Sequence, residues 1–300
     1  MKTEKILEVR NLKQYFKLDR NTLIKAVDDI SFGIYKGEIF GLVGESGSGK
    51  STTGRSIINI HNPTEGEIYY RGNLISDPKI YRAQKRLINR NMQIIFQDST
   101  SSLNSRMTIK EIIEEPLIIQ KVYKEKEERM DKVYKLMNLV GLDKIYKDYY
   151  PFECSGGQRQ RVGIARALSL DPEFIIADEP IASLDVSIQA QIINLFKKLQ
   201  RENGMTCLFI SHDLSMVRYV CNRVGVMYHG KIVELAETCE LYRNPIHPYT
   251  KALFSSMLVP DPACAENRAR IKYNPIVDVH LEEKGQLVEV SEGHFVYCCI

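Results

Sequence analysis

The run Gly44-Glu45-Ser46-Gly47-Ser48-Gly49-Lys50-Ser51-Thr52 has the residue types and spacing needed to cradle a chain of phosphates. It fits G-x-x-x-x-G-K-[ST] without a mismatch. Glycines at 44, 47 and 49 let the backbone curl until successive N–H groups face inward, and a helix start adds partial positive charge. Lys50 is placed to reach the terminal phosphates, and the Ser51 hydroxyl to ligate Mg²⁺. A plain Gly/Ser-rich loop is the competing reading. It is disfavoured by the apolar run Ile39 to Val43 before the loop and the helical run through Ile57 and Ile58 after it. The implied ligand is a nucleoside triphosphate.

A second constellation could complete that chemistry. Phe174-Ile175-Ile176-Ala177-Asp178-Glu179 is an apolar strand ending in two carboxylates. If the strand lies beside the phosphate loop, Asp178 can hold Mg²⁺, directly or through water, and Glu179 can polarise an attacking water. Gln97 closes the apolar run Gln93 to Phe96, and His212 follows Leu208-Phe209-Ile210. A lone Gln or His is usually structural or merely exposed. Both of these stand just past an apolar strand, where doubly wound sheets place ligand residues. Ser155-Gly156-Gly157-Gln158 opens a helix reaching Leu168, with N–H groups free for another anion site.

The elements that must position these groups alternate in type. Ile39 to Val43, Phe174 to Ala177 and Thr206 to Ile210 read as buried strands, and Ser187 to Leu199 as a helix with Ile188, Ile192, Leu195, Phe196 and Leu199 on one face. This order predicts a mostly parallel sheet with crossover helices. From Ser99 to Arg161 the chain reads as wholly helical, and Glu125 to Val140 carries Met130, Val133, Tyr134, Met137 and Val140 as one core stripe. Beyond Glu234 the periodicity fades into a loop-rich extension punctuated by Pro245, Pro248, Pro260, Pro262 and Pro275.

Together these motifs, in this order, resemble the ATP-binding cassette (ABC) family over about residues 6–262. The resemblance implies an α/β P-loop NTPase (RecA-like) core, with an antiparallel β N-terminal part and an all-helical insertion. The core is expected over 1–97 and 162–235, a helical signature subdomain over 98–161, and a C-terminal extension over 236–300. It implies an ATPase in which Glu179, His212 and Gln97 are catalytic, Ser51, Gln97 and Asp178 attend Mg²⁺, and residues 44–52 bind ATP. Phe16 would stack on adenine, with Tyr15 in reserve. Ser155 to Gln158 would be a signature that clasps ATP across a head-to-tail dimer, and Ser183-Leu184-Asp185 the loop that couples the two sites through Asp185.

Two stretches resemble oligopeptide and dipeptide importer ATPases in particular. They are Phe96-Gln97-Asp98 through Ser102-Leu103-Asn104-Ser105-Arg106-Met107-Thr108, and Asn244-Pro245-Ile246-His247-Pro248-Tyr249-Thr250-Lys251-Ala252-Leu253. Asp185 to Gln191 agrees with them. From its residues alone, the second stretch reads as a rigid surface strip with Tyr249 and Leu253 as anchors. The resemblance implies a second ATPase subunit, the same or different, two membrane permeases, and indirectly an extracytoplasmic peptide receptor. It places the chain at the cytoplasmic face of a membrane. The helical insertion would grip the permeases through residues of Ile109 to Ile119 such as Ile112, Ile113 and Leu117, for which core packing is the alternative. Nickel importers share the His-Pro-Tyr stretch and are the nearest alternative.

Departures from the family pattern are few. Cys154 stands at a usual Leu, a packing position. Ile181-Ala182-Ser183-Leu184-Asp185 replaces T-S-A-L-D, which shifts a hydroxyl by one residue. The Cys-rich tail block of some relatives is missing, with Cys264, Cys298 and Cys299 remaining nearby, and adjacent Cys298 and Cys299 fit one cluster poorly, so no iron-sulfur cluster is expected.

Whole-chain properties narrow the class. Among 300 residues, 41 Lys+Arg against 38 Asp+Glu leave a formal charge of +3, which demands no nucleic-acid partner. No secretory signal and no apolar run near the ~18 residues of a membrane span are present. Seven cysteines without a C-x-x-C pair point to reduced thiols. A ribosome-acting cassette protein would carry two cassettes, and a DNA-repair one a long coiled coil; neither pattern is found. A cassette that binds without hydrolysing is disfavoured by the presence of Glu179 and His212.

Overall fold

The computed structural model describes residues 4–19, 22–182, 184–256, 273 and 285–299. Its centre is an eight-stranded sheet in the order β11-β12-β10-β9-β3-β8-β7-β6. These strands are β3 (Ile39–Val43), β6 (Met92–Ile95), β7 (Phe174–Asp178), β8 (Thr206–Ser211), β9 (Arg223–Tyr228), β10 (Lys231–Glu237), β11 (Gly285–Ser291) and β12 (His294–Cys299). From β9 through β3, β8 and β7 to β6 every pairing is parallel. The loops that follow β3, β6, β7 and β8 therefore leave the sheet at one edge, and these loops carry the phosphate-loop motif, Gln97, Glu179 and His212.

The β3 sequence explains its central place. All five residues are buried, because alternate side chains enter two different cores. Ile39 and Val43 join one core with Ile175, Phe209 and the helices α4 (Ile109–Gln120), α5 (Lys126–Leu139), α6 (Gly156–Leu168) and α7 (Val186–Asn203). Phe40 and Leu42 join the other with Phe174, Ile210 and Ile57 of α1 (Lys50–Ile57). That second core is closed by an antiparallel sheet in the order β2-β1-β4-β5, formed by β1 (Lys5–Lys17), β2 (Leu23–Tyr35), β4 (Glu65–Tyr70) and β5 (Asn73–Leu74). The expected α/β core with an antiparallel N-terminal part is what the structure contains.

Helix α2 (Pro78–Asn91) precedes β6, and the short α3 (Ser99–Ser102) follows it. Between β6 and β7 the described residues form helices and two 3₁₀ turns, with no strand. Helix α6 runs unbroken to Leu168, through the boundary expected at 161. In α4, Ile112, Ile113 and Leu117 are all buried, so core packing accounts for them; the apolar side chains that α4 exposes are Ile118 and Ile119. Cys154 is buried in the same core, as its packing position requires.

The C-terminal reading is the one that needs correction. Among the described residues after Glu234 the chain is regular rather than loop-rich: β10 runs on to Glu237, α9 (Thr238–Arg243), α10 (Pro248–Ser255) and the β11–β12 hairpin come after it, and β12 pairs with β10 in the main sheet. Helix α8 (Leu214–Val220) lies against α9 through Tyr242, whose hydroxyl donates to the Leu214 carbonyl at 2.6 Å. The His-Pro-Tyr stretch is not a surface strip either. Pro248 opens α10 at N1, where a missing N–H costs nothing, and Tyr249 is 2% exposed. Ser183, Cys264, Pro260, Pro262 and Pro275 lie outside the described residues.

Candidate functional site

The phosphate loop is shaped by sterics at two glycines. Gly44 has φ 150° and Gly49 φ 106°; a Cβ would fall 2.0 Å from the Met227 carbonyl oxygen at the first and 2.1 Å from that of Ala26 at the second. Only glycine permits so close a backbone approach. The loop delivers Lys50 as the first residue of α1, whose first-turn N–H groups are the unpaired donors that every helix start presents. Lys50 is buried, and its ammonium donates to the carbonyls of Gly44 and Glu45, each at 2.7 Å, and to Ser48 Oγ at 3.3 Å. Burial lowers its pKa, opposed by the carboxylates of Glu179, Asp178 and Glu45.

Across the sheet edge, Asp178 ends β7 fully buried. Its Oδ1 accepts the Ser51 hydroxyl at 2.7 Å, whereas its Oδ2 has no hydrogen-bond partner. Burial raises the pKa of this carboxyl, only partly offset by the Ser51 hydrogen bond and by Arg55. An orphaned buried carboxylate oxygen beside a serine hydroxyl is an oxygen donor set that suits Mg²⁺.

Glu179 turns away from the strand in the left-handed region, φ 47°, with its N–H donated to the Ile210 carbonyl at 3.0 Å. Such a conformation is costly for a residue with a Cβ and gathers at functional sites. The carboxylate is held at both oxygens: Gln97 Nε2 donates to Oε2 at 2.8 Å, and His212 Nδ1 lies 3.2 Å from Oε1. Three residues from the ends of β6, β7 and β8 thus meet at one carboxylate, Gln97 by a hydrogen bond and His212 by a close ring-nitrogen contact. Glu179 is 8% exposed, while His212 remains half open to solvent.

A cleft of about 380 Å³ lies above these groups, walled by Ser46, Gly47, Gly49 to Thr52, Gln97 and Glu179. Its remaining walls, Ile24 to Ala26, His229 and Gly230, were not singled out from sequence. A signal for the last two was present: His229 and Gly230 both have positive φ in the tight β9–β10 turn, and x-Gly between two apolar runs reads as a hairpin.

Phe16 pairs with the cleft residue Ile24 across β1 and β2, and its ring meets that of His61 edge-on at 5.3 Å. Tyr15 donates its hydroxyl to the Asp28 carboxylate and lies beneath the Lys25 ammonium. The structure does not bring Ser155 to Gln158 to this cleft: none of them is among its walls. Ser155 instead caps α6 through a reciprocal pair, Gln158 N–H to Ser155 Oγ at 3.3 Å and Ser155 N–H to Gln158 Oε1 at 2.8 Å. Asp185 is exposed at the start of α7, and its side chain makes no capping bond.

A phosphate loop, an Asp-Glu strand end and their cleft at one edge of a parallel sheet define a P-loop nucleoside-triphosphatase. The chain belongs to the ABC transporter family: that family's model matches residues 27–182, and a model of the oligopeptide/dipeptide transporter C-terminal region matches 233–284. It is 58% identical to the oligopeptide transport ATP-binding protein OppF of Bacillus subtilis, over 99% of this chain and 97% of that protein. The OppF of Streptococcus mutans is 50% identical, over 98% and 94%. Among solved structures, the ATP-binding cassette MJ0796, a dimer bound to ADP and Pi in a post-hydrolysis state, superposes with a TM-score of 0.72 at 30% identity, over 77% of this chain and 98% of that one.

Proposed function

We propose that this chain hydrolyses ATP to energise the import of oligopeptides through a membrane transporter. The observation that carries the reading is the Glu179 carboxylate, held between Gln97 and His212 beside the Ser51–Asp178 pair. The relatives' names support the peptide cargo, as does the match to the oligopeptide/dipeptide transporter C-terminal region.

In this reading the first-turn N–H groups of α1 and the Lys50 ammonium neutralise the phosphates. Asp178 and Ser51 would hold Mg²⁺, with Gln97 beside them, and the cation would offset charge on the phosphates. Glu179 accepts a proton from the attacking water. The Gln97 hydrogen bond and the His212 contact fix the carboxylate in place before the reaction, so little reorganisation is left for the barrier. Phe16 stacks on the adenine. Ser155 to Gln158 and Asp185 serve a second cassette, the same chain or another, in a head-to-tail dimer; their absence from the cleft of their own chain supports that assignment. Two permeases and an extracytoplasmic peptide receptor complete the assembly. Among the described residues no helix is long and apolar enough to cross a membrane. The place assigned to the chain, peripheral at the cytoplasmic face, follows from its role as the ATPase of a transporter. The exposed Ile118 and Ile119 of α4 are the residues of the helical insertion that we assign to permease contact.

Glu179→Gln preserves shape and the Gln97 contact but removes the base. ATP should still bind, and turnover should fall ~10²–10⁴-fold, the usual worth of a positioned general base. Single-turnover hydrolysis together with equilibrium ATP binding checks this, and wild-type turnover in the variant would sink the role given to Glu179.

A further inference from the structure

Residue 249 touches the phosphate loop directly, although 204 positions separate it from Glu45. The Glu45 N–H donates to Tyr249 Oη at 3.2 Å. The other face of the same residue is equally occupied: its carbonyl accepts the Ser48 N–H at 3.2 Å and the Lys50 ammonium at 2.7 Å. Tyr249 therefore closes the one remaining polar group of the Glu45 backbone, the residue from which the Lys50 ammonium hangs.

Tyr249 is itself rigidly mounted. Its ring lies 4.2 Å from that of Tyr228 and 5.4 Å from that of Tyr273. Its own N–H donates to His247 Nδ1 at 3.1 Å, the cap of α10. The N–H groups of Ile246 and His247 donate to the two oxygens of Glu234 at 2.8 and 3.0 Å, and His294 of the terminal hairpin donates to Glu234 from Nε2 at 2.8 Å. A continuous row of hydrogen bonds thus runs from β12 through Glu234 and His247 to the phosphate loop. Tyr228 also leads into the turn whose Gly230 N–H donates to the Ser48 carbonyl at 2.9 Å, a second brace on the same loop.

We propose that Tyr249 is a positioning residue for nucleotide binding, through which the C-terminal region holds the phosphate loop and its Lys50 in the binding conformation. A loop already fixed loses less freedom when phosphate binds, so the brace appears as affinity for ATP. The Glu45 N–H is spent on the brace, and the phosphates are left to the donors that begin α1. Tyr249, which lies in the region that matches the oligopeptide/dipeptide transporter C-terminal model, is on this geometry a support of the nucleotide site.

This inference rests on the ATP-binding reading, and the test separates the two. Full-length wild type and Tyr249→Phe, which keeps the ring and removes only the hydroxyl, are titrated with MgATP, and steady-state hydrolysis is measured for both. One neutral hydrogen bond is worth about fivefold in an equilibrium constant. The expected result is a Kd and a KM for ATP raised about fivefold in the variant, with kcat within about twofold and the melting temperature of the nucleotide-free protein nearly unchanged. Equal Kd values for two chains that both bind ATP overturn the positioning role; no binding by the wild type overturns the ATP reading instead. Hydrogen exchange at the Glu45 amide decides independently, even for a variant that folds poorly. Protection in the wild-type protein supports the brace, and exchange there at the rate of a free loop amide overturns it.

Discussion

Two carboxylates in this molecule are held in similar ways and reach opposite ends. Glu179 lies at the rim of the central sheet, gripped by Gln97 and His212, next to an Asp178 oxygen without a partner and a His212 ring open to solvent. Glu234 lies in β10 with no exposure, and its oxygens accept from the Ile246 and His247 N–H groups and from His294. The first is bonded yet reachable beside an unsatisfied neighbour, which leaves capacity for substrate and cation. The second is closed and satisfied, which leaves capacity for nothing but holding three segments together. Access and residual bonding capacity, rather than residue type, separate a group that can do chemistry from one that organises the fold.

The comparison breaks most readily at Glu234. Glu234→Ala strips partners from His294 and from two backbone N–H groups at once, and should destabilise the fold by about 3–5 kcal/mol. Thermal and denaturant unfolding would show it, and a loss below about 1 kcal/mol would mean that the closed cluster holds little together.

His247 sharpens the same contrast by pH. Burial lowers its pKa from 6.5 to about 4, with Glu234 opposing the shift. The unfolded chain therefore takes up a proton that the folded chain refuses. Stability is fully present above the unfolded pKa and is lost as pH falls towards 4, by about 3 kcal/mol at the lower end. His247→Asn keeps a capping acceptor without titrating. Its stability should fall less steeply than that of the wild type between pH 6.5 and 4, as read from denaturant midpoints at each pH. Parallel curves would rule out His247 as the source.

Lys50 marks the opposite pole, where removal costs function and spares the fold. Its buried ammonium is disfavoured by desolvation, so Lys50→Ala should leave the melting temperature unchanged or higher. Nucleotide affinity should drop about 10- to 100-fold, the worth of a hydrogen bond to a charged group at 1.5–3 kcal/mol. Calorimetric titration with MgATP checks it; a destabilised variant with intact affinity would place Lys50 among the structural residues.

Much of the rim was legible in the sequence because its rules are local. The glycines at 44 and 49, the apolar runs of β3, β7 and β8, and the polar residues that end them are dictated by sterics and burial within a few residues. The C-terminal region was illegible for the converse reason. The β11 strand Gly-Gln-Leu-Val-Glu-Val-Ser is mostly exposed at a sheet edge, so it lacks a clean burial pattern, and Pro245 and Pro248 read as loop although the second opens a helix. Ile112, Ile113 and Leu117 are as apolar as Ile118 and Ile119; only packing against α5 and α6 decides which are covered.

The sequence by itself determined that a strand, a phosphate-binding loop and a helix follow one another, and that carboxylates end a buried strand. Steric freedom at glycine and the burial of alternating side chains act over a handful of residues and leave a mark that can be read along the chain. Tertiary structure alone decided that Gln97 and His212 share one carboxylate, and that Tyr249 braces Glu45. Those contacts join residues far apart in the chain, and they exist only because strand order and helix packing bring the partners within 3.2 Å or less.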